Sequence, residues 1–568
     1  MFSRATPAVL CSIATLLAAA PVWAQNYTST SAGNWNTPSI WTPNTGFPDS
    51  PTDSATTGSA VAINGDFSLD NLTFTSGGNL SFGPSFSEAL RIYGAVNLDG
   101  ATFGINSSSA TSPNGLYFQG TSQTIANGTL SVPASSAGAL LVIASSTDIA
   151  ATATLQIDGT ITGSGAGTLT NDGVINDTHA GDGTLAPALL VNDTALNIGA
   201  VSGSATLNVG NLNNIGTVTI AQGLLVVGGT LNNTGTIANA GGVILAGNNT
   251  VAGLGTITGA GSVTLFGTLH DGTLTGTPAI DVDGGTLQNI AFSYSPTYAA
   301  GHEVNLLDTI TLNGNTLTAS GGTTLAVDTS TNPTVSATLP AGSVVVDGSL
   351  LQSNSAATLV VPTGGTLTLI NGSSANASGA ATNLTVQGKL SIASGQNYVG
   401  NNLTLAAGST FDVNVSAASG GQLYVEAPLD PSTGNTILPI SVALGGTLHL
   451  TLGGDAVTPG EAFDIVLADG PDDGLADQSV VPVGFTDSPY SGTFSNVTPN
   501  GDGPDGTFVQ DGEEYSLTEI FDDSNPQYPT YDLVVTAIGP AVATVPEPAS
   551  LALLALAAPL LLRKRRAR

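Results

Sequence analysis

The sequence predicts an all-β protein, a right-handed parallel β-helix or β-solenoid, on three observations. The first is a repeat: Leu212-Asn213-Asn214-Ile215-Gly216-Thr217-Val218 returns 19 residues later as Leu231-Asn232-Asn233-Thr234-Gly235-Thr236-Ile237, and weakened 20 residues after that as Val251 to Ile257. A period of that size without helix formers is the length of one solenoid rung. The second is composition, 41% hydrophobic but only 5% aromatic in 568 residues, so the apolar content is mainly Ala, Val, Leu and Ile. Such content suits many thin, similar layers better than one large core. The third is the run of Gly-Thr-apolar triplets, among them Gly128-Thr129-Leu130 and Gly167-Thr168-Leu169, each setting a turn residue beside β-formers.

Taken in order, residues 1–24 read as a signal peptide. Arg4 precedes an apolar stretch from Ala8 to Ala20, and Val22 and Ala24 are small residues suited to a peptidase site after Ala24. Removing that segment removes Cys11, the single cysteine, and with it disulfides and thiol chemistry.

Residues 25–118 are expected to form a capping β region. Trp35 and Trp41 stand six residues apart before alternating strands such as Asp70-Asn71-Leu72-Thr73-Phe74. The paired tryptophans suit either a lid over the first rung or a sugar-lining surface.

Residues 119–455 are the expected repeat region, with Gly or Asn at corners needing positive φ. Stacked Asn213 and Asn232 are expected to form an inward ladder of side-chain amides. Thr-x-Thr pairs recur, at Thr217-Thr219, Thr256-Thr258 and Thr366-Thr368. Ladders of that motif bind ice in some antifreeze solenoids, and Thr is equally an ordinary residue for an exposed strand face.

Residues 456–540 hold the acids. Between Glu461 and Asp532 stand 16 of them with no Lys or Arg, alternating with strand-like runs from Ala462 to Leu467 and from Tyr531 to Thr536. A small acidic β domain is expected. Asp469, Asp473, Asp502 and Asp505 lie in Gly-Pro-rich loops whose oxygens suit a weak, irregular calcium site. The EF-hand register itself fails, because Pro471 and Val480 occupy ligand positions.

Residues 541–568 run Val545-Pro546-Glu547-Pro548, then an apolar stretch from Ala549 to Leu562, then Arg563-Lys564-Arg565-Arg566. The basic cluster would stay cytoplasmic and hold a short membrane helix, with the body outside. These three parts in this order resemble the PEP-CTERM sorting signal of exopolysaccharide-associated Gram-negative bacteria. The resemblance implies an exosortase-like membrane transpeptidase acting at the Pro-Glu-Pro motif, transient residence in the inner membrane, and association with exopolysaccharide at the cell surface or in the matrix. The repeat body also resembles autotransporter passengers, without the successive ten-residue strands and aromatic girdles of a translocator barrel near its end.

Charge narrows function. Between the two terminal segments only Arg91 and Lys389 remain as bases, against 39 of the 40 acids. No nucleic-acid partner is expected of such a surface. Carboxylate-pair catalysis finds no support either: Asp472-Asp473 and Asp522-Asp523 are adjacent, and neighbouring strand residues face opposite ways. The histidines, His179, His270, His302 and His449, are scattered, and Leu306 stands where a zincin-like His302-Glu303 start needs its second histidine. The expectation is a secreted, non-enzymatic surface or matrix protein without a cofactor beyond weak calcium. The alternative is a β-helix that binds or cleaves polysaccharide.

Overall fold

The computed structural model describes residues 24–540, apart from 77, 83–86, 108–113, 179–180, 200–204, 277, 329–335, 354–357, 376–382, 401, 416–419, 427–440, 453–457, 470–488, 500–504 and 523–529. Of the described residues 62% are in strands and 2% in helix, and the strands pair mostly in parallel as a β-solenoid. The chain divides into two compact units between Thr264 and Leu265.

In the first unit the repeat is the rung. Leu212–Asn214, Thr217–Ile220 and Leu224–Val227 are three short strands of one turn. Each pairs in parallel with its counterpart in the next turn, Leu212 with Leu231, Val218 with Ile237 and Leu225 with Val243. Alternation decides what is buried: Val218, Ile220, Ile237, Leu225 and Val243 point inward and are fully buried, while Thr217, Thr219 and Thr236 point out. Layers of Val, Leu and Ile stack along the axis, which is why so few aromatics suffice.

The glycine at the repeated Gly-Thr corner has a steric reason. A Cβ on Gly235 would lie 2.0 Å from the carbonyl oxygen of Gly216 one rung away, so only glycine lets the corners stack at rung spacing. At Gly235 close approach, rather than the expected positive φ, sets glycine, whereas Gly255 of a later triplet does take φ +54°. Positive φ is met at other corners, for instance at Asn127, Asn289 and Asn371.

Parallel pairing begins at the first described strand. Asn26–Ser29 pairs in parallel with Ser50–Thr57 and antiparallel with Trp41–Thr42, so the region expected as a separate cap is itself built of rungs. The ladder also crosses the expected boundary at residues 118 and 119, because Asn114–Phe118 pairs with strands on both sides. Trp35 and Trp41 close this end: they are 0% and 1% exposed, with ring centroids 5.0 Å apart edge to face. The Trp35 indole N–H donates to the Pro48 carbonyl at 2.7 Å, and that of Trp41 to the Trp35 carbonyl at 2.8 Å. Buried and satisfied in this way, they are a lid and not a sugar platform.

The second unit continues the same logic with longer rungs. Thr366–Ile370 pairs with Lys389–Gly400, whose far half turns the corner to pair Tyr398 with Ser374. At the C-terminal side the pairing changes sense. Gly421–Glu426 pairs in parallel with Ala462–Asp469, which pairs antiparallel with Thr530–Pro540, and Glu513–Asp522 and Gly506–Gln510 follow in an antiparallel meander. The described strands of the acidic region from Gly506 to Pro540 thus form a small antiparallel β closure laid on the last parallel strands, while Tyr490–Gly492 still pairs in parallel with Ser441–Leu444.

Candidate functional surfaces

In the first unit, eleven strands from Gly33–Asn34 to Thr256–Thr258 form a sheet of their own. One outward row places Thr102, Thr129, Thr154, Val174, Ala195, Thr217, Thr236 and Thr256 in register. A second row runs through Ser131, Gln156, Asn176, Asn197, Thr219, Ala238 and Thr258. No outward position within these strands carries a charge, in a chain whose formal net charge is −32, and the carboxylate of Asp158, one residue past its strand, accepts from Gln156 and Thr178 at the sheet's margin. The amides are ordered by one another: Asn176 Nδ2 donates to Gln156 Oε1 at 3.1 Å and Asn197 Nδ2 to Asn176 Oδ1 at 2.8 Å.

The second unit repeats the character on a six-stranded sheet from Ser336–Thr338 to Tyr490–Gly492. Its outward rows include Ser336, Thr358, Asn383, Asn402 and Ser441 in register, with Asn402 Nδ2 donating to Asn383 Oδ1 at 2.7 Å. Outward charges on strands occur on other sheets, among them Asp70, Arg91 and Asp148 in the first unit and Asp347, Lys389 and Asp412 in the second, whereas Asp177 of the eleven-stranded sheet is buried inward.

Inside the first unit runs a separate amide ladder. Asn171 donates to Asn192, Asn192 to Asn214 and Asn214 to Asn233, each at 2.7 Å, and all four are buried. Asn233 ends it by donating to the carbonyls of Leu254 and Thr256. There the single-turn helix Val251–Leu254 interrupts the pattern and Gly255, at φ +54°, has no room for a Cβ beside the Asn233 carbonyl. The expected inward pair, Asn213 and Asn232, is instead the outward one: the two bond at 3.1 Å on the exposed side. With Leu212 inward, alternation turns Asn213 out and Asn214 in.

Among the described residues, side chains of both charge signs converge on Asp412, which sequence spacing did not reveal. Asp412, only 7% exposed, lies between Lys389 Nζ at 2.7 Å and His449 Nδ1 at 2.8 Å, and also accepts from the Thr451 hydroxyl at 2.7 Å. Burial alone would raise its pKa, but the bonds from His449, Lys389 and Thr451 outweigh that and hold it below the ordinary aspartate value. Lys389 is therefore neutralised locally, and the Thr451 hydroxyl is spent on the carboxylate rather than held as a nucleophile. The cluster orients an imidazole on a half-exposed surface and fastens three successive rungs.

The remaining expected residues are dispersed. Asp469 ends the strand paired with Thr530–Pro540, opposite Thr530, while Asp505 Oδ1 accepts from the Glu519 backbone N–H at 2.8 Å. Asp473 and Asp502 lie outside the described residues, as do His179, Val545 to Pro548 and Arg563 to Arg566. Ala24 is described and exposed. His270 stands beside Asp271 and His302 beside Asp283. Among the described residues no group of three His, Cys, Asp or Glu is gathered to hold a metal ion, and no helix is long and apolar enough to cross a membrane.

No family model matches the chain, and no curated protein or solved structure matches it either.

Proposed function

We propose that this chain is an exported, non-enzymatic structural protein of the cell surface or extracellular matrix. In this reading it is a right-handed solenoid delivered by its signal peptide and processed at Pro546-Glu547-Pro548 by an exosortase-like transpeptidase. One observation carries it: each unit is a stack of parallel rungs with a largely uncharged polar face, while the buried Trp35-Trp41 lid in one unit and the antiparallel closure in the other cover strand edges. Such an object serves as a spacer or adhesin-like scaffold, and covered edges keep it from polymerising through its strands. Exopolysaccharide is the partner that the tail's resemblance adds.

The deciding measurement is the C-terminal mass of the protein recovered from the cell envelope. Loss of residues beyond the Pro-Glu-Pro motif, abolished when Pro546, Glu547 and Pro548 are replaced by Ala, supports the reading. Envelope protein still ending at Arg568 in cells possessing the sorting machinery overturns it.

A polysaccharide-cleaving reading draws on one feature, the imidazole of His449 oriented by Asp412. It requires new reducing ends when polysaccharide is incubated with the protein, and their loss in a His449→Gln variant.

A further inference from the structure

We propose that the uncharged outer face of the eleven-stranded sheet, and its counterpart on the six-stranded sheet, bind a neutral, hydroxyl-rich polysaccharide. The proposal deepens the surface-scaffold reading and rests on it only for where the polymer would be met. Three features of the faces select this ligand class. They offer no counter-ion to an anionic polymer, and the one carboxylate at their margin, Asp158, is taken up by hydrogen bonds from Gln156 and Thr178 rather than held open for a cation. Their side chains are small, so they lack the aromatic and large aliphatic anchors on which protein partners depend. What they offer is a dense field of paired donors and acceptors, matched by a polymer whose every hydroxyl both donates and accepts.

The field is also ordered in advance. A carboxamide has two N–H donors and two lone pairs, and the ladder bond from Asn197 to Asn176 uses one donor of the first and one lone pair of the second. The remaining groups are held in fixed orientation, which lowers the ordering cost of binding. Rungs repeat at about 4.8 Å, so an extended chain meets the same chemistry again at each rung. Weak single contacts then add through effective concentration. The same character arises independently in the second unit, from different residues, Asn383 and Asn402. Other strand faces carry charge, at Asp148 or Asp347, even where outward amides pair, as Asn232 does with Asn213.

The test is co-sedimentation of the purified chain with cellulose and with cross-linked dextran, against cross-linked alginate as the anionic polymer. Binding to a neutral polymer, unchanged by salt, is expected. Combining Asn176→Asp with Asn197→Asp should weaken it at least tenfold, while the same two charges at Thr318 and Thr368, outward on a charged sheet of the other unit, should not. Should the first variant lose its cooperative melting, Thr217→Glu with Thr256→Glu, both at exposed positions, replaces it. No binding to either neutral polymer, a salt-sensitive preference for alginate, or equal binding by the face variants would each overturn the proposal. These outcomes are independent of C-terminal processing: a processed protein that binds no neutral glycan refutes this inference alone, and a glycan-binding protein still ending at Arg568 refutes only the sorting reading.

Discussion

The side chain of Gln510 holds the backbone of Leu450 as a neighbouring strand would. Leu450 N–H donates to Gln510 Oε1 at 2.8 Å, and Gln510 Nε2 donates back to the Leu450 carbonyl at 2.5 Å. Two residues earlier in the same strand, Thr447–Thr451, the Asn496 carboxamide does the same to Leu448, at 3.0 and 2.8 Å. The spacing of two is that of backbone groups facing one side of a strand. Two amides thus satisfy four groups that would otherwise template another chain.

Removing that clamp should destabilise the protein and make it self-associate. Replacing both Asn496 and Gln510 with Ala is expected to lower stability by about 1–3 kcal/mol, since water replaces part of what is lost at an edge. Sedimentation should then show concentration-dependent oligomers. A double variant whose sedimentation and melting temperature match those of the wild type would refute this role.

The buried amide ladder yields a sharper contrast. Asn214→Leu strips Asn192 of its acceptor and Asn233 of its donor inside the core, and is expected to cost about 3 kcal/mol. Asn213→Leu, one residue away on the outward side, should cost under about 0.5 kcal/mol. Urea unfolding of the two variants measures the difference, and comparable costs would contradict the assignment of faces.

That one-residue contrast also marks where sequence reasoning reaches. The rung was legible because Leu212 and Leu231, Val218 and Ile237 recur at a spacing that puts them in register, and the structure pairs them so. The ladder was legible as a motif but assigned to the wrong asparagine, although alternation from the inward Leu212 contained the answer. The Asp412 cluster was not legible. Its members stand 23 and then 37 residues apart, so no fixed period relates Lys389, Asp412 and His449, and only the register of three unequal rungs brings them together. The edge clamp was equally hidden, because Gln510 lies 60 residues from Leu450.

Charge inside a rung should be far more costly than charge outside. Val218 is fully buried with Ile237 stacked beside it, so Val218→Asp is expected to cost about 3 kcal/mol or more, having no partner for its carboxylate. Thr219→Asp, pointing outward from the same strand, should leave the melting temperature within a few degrees of the wild type. Equal destabilisation of both variants would be incompatible with the alternation described.

Acidity should act on stability in two opposite directions, separable by two variants. Asp148 and Asp193 have raised pKa values, each first from burial and then from neighbouring acids, Asp172 and Asp193 for the former and Asp172 for the latter. Their ionised forms are therefore disfavoured by folding, and stability is gained as pH falls through their raised values. Asp412 is the reverse: with its pKa lowered, its contribution is complete above the ordinary aspartate value of 3.8 and is lost as pH falls through the folded value below that. Asp193→Asn should thus exceed the wild type in stability near neutral pH, with the advantage fading on mild acidification. Asp412→Asn should fall below it near neutral pH, and the deficit should narrow only in stronger acid, where the wild-type carboxylate is itself protonated. Urea midpoints measured from about pH 7 down to about pH 3 resolve the two. A deficit of Asp412→Asn that stays constant across that range would mean the carboxylate's charge, with Lys389 and His449 around it, contributes nothing to holding the three rungs together.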